Sequence, residues 1–310
     1  MATTSPSALE LEASWVQARA FANLLNPIPP AVVRAIQTLW VNHLENLTLG
    51  SATISPQSVI ALKAVDKSSK LRTPLYFAAA SLYPDQMETI QEDDTTVALL
   101  RVLGPGFFAT LLGLVYLHRR LNKICRHAEW QNLSKEYVLN MELGFYAGSA
   151  FTRLGTGEGT LVGGIRYAAM ATLLLRTPDY FIRYRNLKRK RIDLEHEQSL
   201  WGCDITQIGA CLIKNLGFRK DLLEVGAALR GDLTVSLPDD LRRWRAAIGW
   251  IDAMKAGAPP DPEHWLALDS DPSQVQELTA RTNKLLRDGS TFTWMLQRSD
   301  VGGEDPAGAP

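Results

Sequence analysis

Cysteine, histidine and an excess charge of either sign are scarce in this chain, and each scarcity removes a class of function. Only three cysteines occur in 310 residues, Cys125, Cys203 and Cys211. The count is odd and the spacing lacks the close pairs of a zinc site, so reduced thiols in a cytosol are expected, and none reads as a nucleophile. Among the five histidines, His43, His118, His127, His196 and His264, no two have the i, i+3 or i+4 spacing that places paired metal ligands on one helix face. Neither a metal nor a cofactor is expected. The 33 basic and 33 acidic side chains cancel, so no global field draws in nucleic acid or anionic lipid. The uncharged run Val102–Leu117 is 16 residues long and is broken by Gly104-Pro105-Gly106, short of the roughly 20 residues of a spanning helix. Met1–Glu10 has neither a basic nor an apolar segment of a secretory signal, and a cytoplasmic location is expected.

What the chain does have is apolar content, 46%, enough for a sizeable core and against intrinsic disorder. Its spacing is helical almost throughout, as in Leu11, Trp15, Ala18, Ala22 and Leu25, and clean period-two alternation is hard to find. Breakers at Asn26–Pro30, Ser55-Pro56, Tyr83–Asp85, Gly104–Gly106, Thr177-Pro178, Gly231-Asp232, Leu237-Pro238 and Gly257–Pro260 separate segments of helical length. Ser55-Pro56 sets a capping hydroxyl before a proline at the first helical position, and Asp271-Pro272-Ser273 does the same for the last helix. Asp93 or Asp94 is the candidate cap for the helix holding Val97, Leu99 and Leu100. An all-α fold follows. Residues 1–10 are expected to be flexible and 299–310, rich in glycine and proline, disordered. The best candidate for a domain break is Gly231–Pro238.

Two stretches invite a binding function. In Gly155–Gly164 the glycines would let backbone N–H groups approach a phosphate. That cradle needs a preceding strand, whereas 142–154 reads as helix, and no Gly-Lys-Ser or Gly-Lys-Thr follows. A flexible inter-helix connection is expected, with Arg153, Gly155, Gly157, Gly159 and Arg166 as a secondary anion-contact set. The basic run Arg183, Arg185, Lys188, Arg189, Lys190 and Arg191 is interleaved with Tyr180, Phe181 and Tyr184 and could neutralise phosphates. Asp193, Glu195 and Glu197 follow at once, so a solvated, internally paired helix face is the favoured reading, and nucleic acid is not an expected partner. Trp201, Trp244, Trp250, Trp265 and Trp294 are expected to pack the core and the C-terminal layer. Trp244 and Trp250, six apart, suit one stripe poorly, and one of them is a candidate partner contact.

Four segments in order resemble the HD-related output domain, a helical bacterial signalling module. They are Ile28–Ile36 with its prolines; Val65-Asp66 followed by Leu71, Leu75 and Ala78–Tyr83; Ala128–Ser134 followed by Ala147–Gly155; and Glu195–Phe218, with Glu195 or Glu197, Gly202, Asp204, Gly209-Ala210 and Gly217-Phe218 matching. The resemblance implies a multi-helix HD-related bundle over 11–230. It would comprise an N-terminal helical subdomain (11–125) and a degenerate HD-like subdomain (126–230), followed by a C-terminal helical extension (231–298). Chemistry on the HD fold requires histidines and aspartates holding a metal that activates water. Asn132, Thr152, Arg153 and Ile205 occupy those places here, so the resemblance implies a noncatalytic module whose partners are signalling proteins such as histidine kinases or cyclic-dinucleotide enzymes. Two alternatives stand beside it: a metal-dependent phosphohydrolase drawing ligands from His118, His127, Asp204 and Glu158, and a small-ligand sensor using Gly155–Gly164.

Overall fold

The structure is a computed structural model that describes residues 8–88, 90, 96–151, 153–188, 191–231, 235–262, 264 and 271–296. The fold is all-α: the described residues are 80% helical, with 15 α-helices and no strand among them. In chain order the helices are α1 (Ala8–Ala22), α2 (Pro30–Leu49), α3 (Pro56–Asp66), α4 (Ser69–Leu82), α5 (Pro84–Met87), α6 (Thr96–Leu103), α7 (Pro105–Ile124) and α8 (Glu129–Ala150). They continue as α9 (Thr156–Arg176), α10 (Pro178–Leu187), α11 (Leu194–Trp201), α12 (Ile205–Leu216), α13 (Leu222–Arg230), α14 (Asp239–Lys255) and α15 (Pro272–Asp288).

Local chemistry sets many of these boundaries. Pro30, Pro56, Pro84, Pro105, Pro178 and Pro272 all open helices, where a missing N–H costs nothing because the first turn has no intrahelical acceptor for it. The Ser55 hydroxyl caps Ser58 N–H and the Asp271 carboxylate caps Ser273 N–H, as the sequence indicates. Asp93 and Asp94 lie outside the described residues. At the start of α6 the Asp66 carboxylate, thirty residues upstream, accepts the Thr96 N–H at 2.8 Å and the Thr96 hydroxyl at 2.5 Å.

The expected flexible connection at Gly155–Gly164 is the first turns of α9, and that expectation is corrected. The glycines serve close approach. A Cβ on Gly144 would lie 2.1 Å from the Gly159 carbonyl oxygen, on Gly148 2.1 Å from that of Gly155, and on Gly163 2.1 Å from that of Asn140. Since 140, 144 and 148 meet 163, 159 and 155 in reverse order, α8 and α9 run antiparallel with their backbones in contact. Gly157 presses on Gly106 and Phe107, so α7 starts beside the start of α9 and runs parallel to it. With α12 and α14 added on its other flanks, α9 is enclosed, and every residue from Gly157 to Leu174 is buried.

One hydrophobic core extends from Trp15 to Met295. Helix α1 lies on α12 and α9, while α14 lies on α13, α9 and α8, so the first helix and the C-terminal helices share that core. Trp244 and Trp250 are both fully buried, which removes either as a partner contact; Trp265 lies outside the described residues. Helices α6 and α7 meet at 115°, and no single helix among the described residues is long and apolar enough to cross a membrane.

The α8–α9 contact gives a direct test. A Cβ at Gly159 would sit 2.2 Å from the Gly144 carbonyl oxygen, so Gly159→Ala should lower the unfolding free energy by about 3 kcal/mol or more in a denaturant titration, because backbone must move. Gly257→Ala, at φ +69° but in open space, should cost only about 1–2 kcal/mol.

Candidate functional site

Of the four positions singled out by the HD resemblance, the three that are described do not converge. Asn132 is exposed in the first turns of α8, where its amide donates to Glu129 Oε2 at 3.1 Å. Arg153 is exposed beyond the far end of the same helix, and its carbonyl accepts from Arg243 Nη1 at 2.9 Å. At about 1.5 Å per residue the two are separated by roughly 27 Å of helix. Ile205 is fully buried as the first residue of α12, and Thr152 lies outside the described residues. The alternative ligand set is equally scattered. His118 is buried in α7 with Nε2 at 2.7 Å from Ser134 Oγ, and burial lowers its pKa to about 3, so the imidazole is neutral. His127 Nδ1 accepts the Glu129 N–H. Among the described residues no three His, Cys, Asp or Glu side chains come close enough to hold a metal ion.

In the secondary anion-contact set Arg153 is exposed, but Gly157, Gly159 and Arg166 are buried. Gly157 and Gly159 face helix backbone, and Arg166, 6% exposed, is paired with Asp252 on α14 at 2.7 Å. The basic run is divided. Arg185 is buried against both oxygens of Glu136, at 2.6 and 2.8 Å, Lys188 pairs with Asp193 at 2.8 Å, and Arg183 and Arg191 are exposed; Arg189 and Lys190 lie outside the described residues. The expected neutralisation by the acidic residues that follow is therefore only partial, since Glu197 is fully buried and turned inward.

Glu197 anchors the stretch around α11 and α12. Its carboxylate accepts the Tyr184 hydroxyl at 2.5 Å and the Ile205 N–H at 3.0 Å. Tyr184 OH in turn accepts the Asp193 N–H at 2.9 Å. Asp204 caps α12 by accepting the N–H groups of Thr206 and Gln207, while the Gln207 side chain accepts the Asp204 N–H, a reciprocal capping box. Ser14 ties α1 to the same box by donating to Gln207 Oε1 at 2.8 Å. The matching residues Glu197, Gly202, Asp204 and Gly217 are thus a cap, two left-handed helix ends and a buried acceptor.

A second buried carboxylate lies where α9 begins. Glu158 Oε2 accepts Trp244 Nε1–H at 2.8 Å. Lys220, ion-paired with Asp240, lies 5.8 Å from the Trp244 ring centroid. Desolvation dominates and pushes the Glu158 carboxyl up to about 7, against the Trp244 hydrogen bond and the Lys220 charge. Burial likewise raises Glu197 to about 7. Both groups titrate near neutrality, yet each is enclosed and held by donors of the fold.

Among the described residues an open groove of about 730 Å³ runs along α2 and α3, with Ala31, Val41, Ile60 and Ala61 as apolar lining and Arg34, Glu45 and Arg219 as charged groups. Ile60 is 65% and Val41 37% exposed. The sequence reading missed it, although a signal exists: the core stripe of α2 is Val32, Ala35, Ile36, Leu39 and Trp40, and Val41 lies out of phase with it, as Ile60 does with Leu62 and Val65 on α3. Compared with known proteins, the chain matches no family model, no curated sequence and no solved structure.

Two predictions come from the buried carboxylates. With Glu158 raised from 4.5 to about 7, the folded state keeps a proton that the unfolded state has lost. Its contribution, on the order of 3 kcal/mol, is complete below pH 4.5 and is lost as pH rises through 7. Glu158→Gln, whose amide oxygen still accepts from Trp244, should flatten the fall in unfolding free energy between pH 5 and 8, measured in denaturant; a curve parallel to the parent would contradict this. Glu197→Gln should cost about 1–3 kcal/mol, because one amide oxygen cannot serve both the Tyr184 hydroxyl and the Ile205 N–H.

Proposed function

We propose that the protein is a noncatalytic regulatory module of a bacterial cytoplasm that acts by binding another protein, and that its resemblance to the HD-related output domain reflects a shared helical framework without metal chemistry. The observation that carries this reading is the groove along α2 and α3, where Val41 and Ile60 are offered to solvent beside Arg34 and Arg219. Its occupant is an amphipathic helical segment of a partner, placing apolar side chains on Val41, Ile60 and Ala61 and a carboxylate near the two arginines. Signalling enzymes such as histidine kinases or cyclic-dinucleotide enzymes are the partners that the resemblance suggests. The inward bonding of Glu158, Glu197 and His118 supports the absence of catalysis, since each is held by groups of the fold.

The test is site-specific photo-crosslinking in the native cell. A benzophenone side chain at Gln57, which lines the groove, should give one discrete protein adduct, absent with the probe at Asn283, which is exposed on α15. Ile60→Asp should abolish that adduct while leaving the thermal unfolding midpoint unchanged. No adduct at Gln57, or one that survives Ile60→Asp, would overturn the reading.

A further inference from the structure

The charge of this chain sums to zero but is not evenly spread. Between residues 119 and 136 it has five basic residues against two acidic, and between 179 and 193 six against two. The fold brings these segments to one end of the bundle. Trp130 Nε1 donates to Asn122 Oδ1 at 2.6 Å and His118 meets Ser134 at 2.7 Å, which lays the end of α7 along the start of α8. One turn further along α8, Glu136 receives Arg185 of α10. Of the four acidic residues in these segments, Glu136 pairs with Arg185, Asp193 pairs with Lys188 and Glu129 accepts from the Asn132 amide, while Asp179 is exposed beside Tyr180. Arg126, Lys135, Arg183 and Arg191 are exposed at this end, and Arg119 has a buried Nη1 with no acceptor. On α10 the ring of Tyr180, 60% exposed, stands one turn before Arg183.

We propose that this end binds single-stranded nucleic acid, with Arg126, Lys135, Arg183 and Arg191 along the phosphates and Tyr180 stacking on a base. An aromatic ring among guanidinium groups is what single strands use, because every base has a face to stack and every linkage carries a charge. A bilayer needs more apolar surface than α10 offers, its one exposed aliphatic side chain being Leu187. A folded acidic protein needs an apolar anchor seated in a pocket, and the groove along α2 and α3 includes no residue of α7, α8 or α10.

Fluorescence anisotropy of the full chain with labelled 20-nucleotide single-stranded RNA and DNA tests this between 50 and 300 mM salt. Binding is expected to weaken with salt at a log–log slope of about −3, for about four phosphates neutralised. Arg183→Glu with Arg191→Glu should weaken it at least tenfold. Tyr180→Ala should weaken single strands by about five-fold or more while leaving duplex binding unchanged, with circular dichroism of the variants matching the parent. Several results would overturn the proposal: no binding at 50 mM salt, indifference to salt or to the double reversal, a duplex bound as well as the strand and equally indifferent to Tyr180→Ala, or tighter binding to polyglutamate or phosphatidylserine vesicles.

Discussion

The backbone contact between α8 and α9 constrains the rest of the molecule. Where carbonyl oxygens of one helix lie at the positions that Cβ atoms would fill on the other, the axes cannot separate or rotate without opening a void along their length. Helix α9 is then covered on every side, by α8, α7, α12 and α14. A helix so enclosed can keep a polar side chain only if a neighbour supplies its partner. Glu158 and Arg166 are such residues, and both partners, Trp244 and Asp252, come from α14. The C-terminal layer therefore completes the central helix, which explains why it shares the core despite following Gly231–Pro238, the best candidate for a domain break.

How far the sequence foretells this depends on the range of each interaction. The helix starts at Pro56 and Pro272 were legible because cap and proline act within one turn. The Asp66 bonds at the start of α6 were not, since Asp66 reaches Thr96 only after the chain has folded back. Gly155–Gly164 misled because glycine serves two purposes, freedom at a turn and close approach in a helix. The discriminating pattern was present: glycines at 144 and 148, and at 155, 159 and 163, recur every fourth residue, the small-residue spacing of helices in backbone contact. Trp244 and Trp250 looked incompatible with a single stripe, and they are. Helix α14 is covered by α13 on one side and by α8 and α9 on others, so a six-residue separation buries both.

Sites were less legible than elements. The HD resemblance selected Asn132, Arg153 and Ile205 from local likeness, yet α8 itself keeps the first two apart and Ile205 points into the core. The groove along α2 and α3 arises from two helices meeting, so neither helix alone reveals it. What each does reveal is an apolar residue out of phase, Val41 and Ile60. Such out-of-phase apolar residues, rather than the periodic stripe, mark both walls. The basic run was discounted through acidic neighbours in sequence; the side chain of Glu197, once folded, faces Tyr184 and the Ile205 amide instead of Arg191.

Buried carboxylates usually suggest chemistry, and among the described residues four are 5% exposed or less: Asp204, which caps α12, and three glutamates, Glu142, Glu158 and Glu197. Each glutamate is held by a different segment. Ser290 Oγ, Thr291 N–H and Thr291 Oγ1 donate to Glu142, Trp244 to Glu158, and Tyr184 with the Ile205 N–H to Glu197. Desolvating a carboxylate costs several kcal/mol, so such contacts add little net stability. They do penalise wrong arrangements: a shift of α14, of the segment after α15, or of the α11–α12 corner would leave a buried acceptor without its donors. A perturbed carboxyl is a sign of catalysis only when a cleft leads to it. Here the three glutamates lie beneath the elements they position, and the near-neutral titration of Glu158 and Glu197 follows from that enclosure.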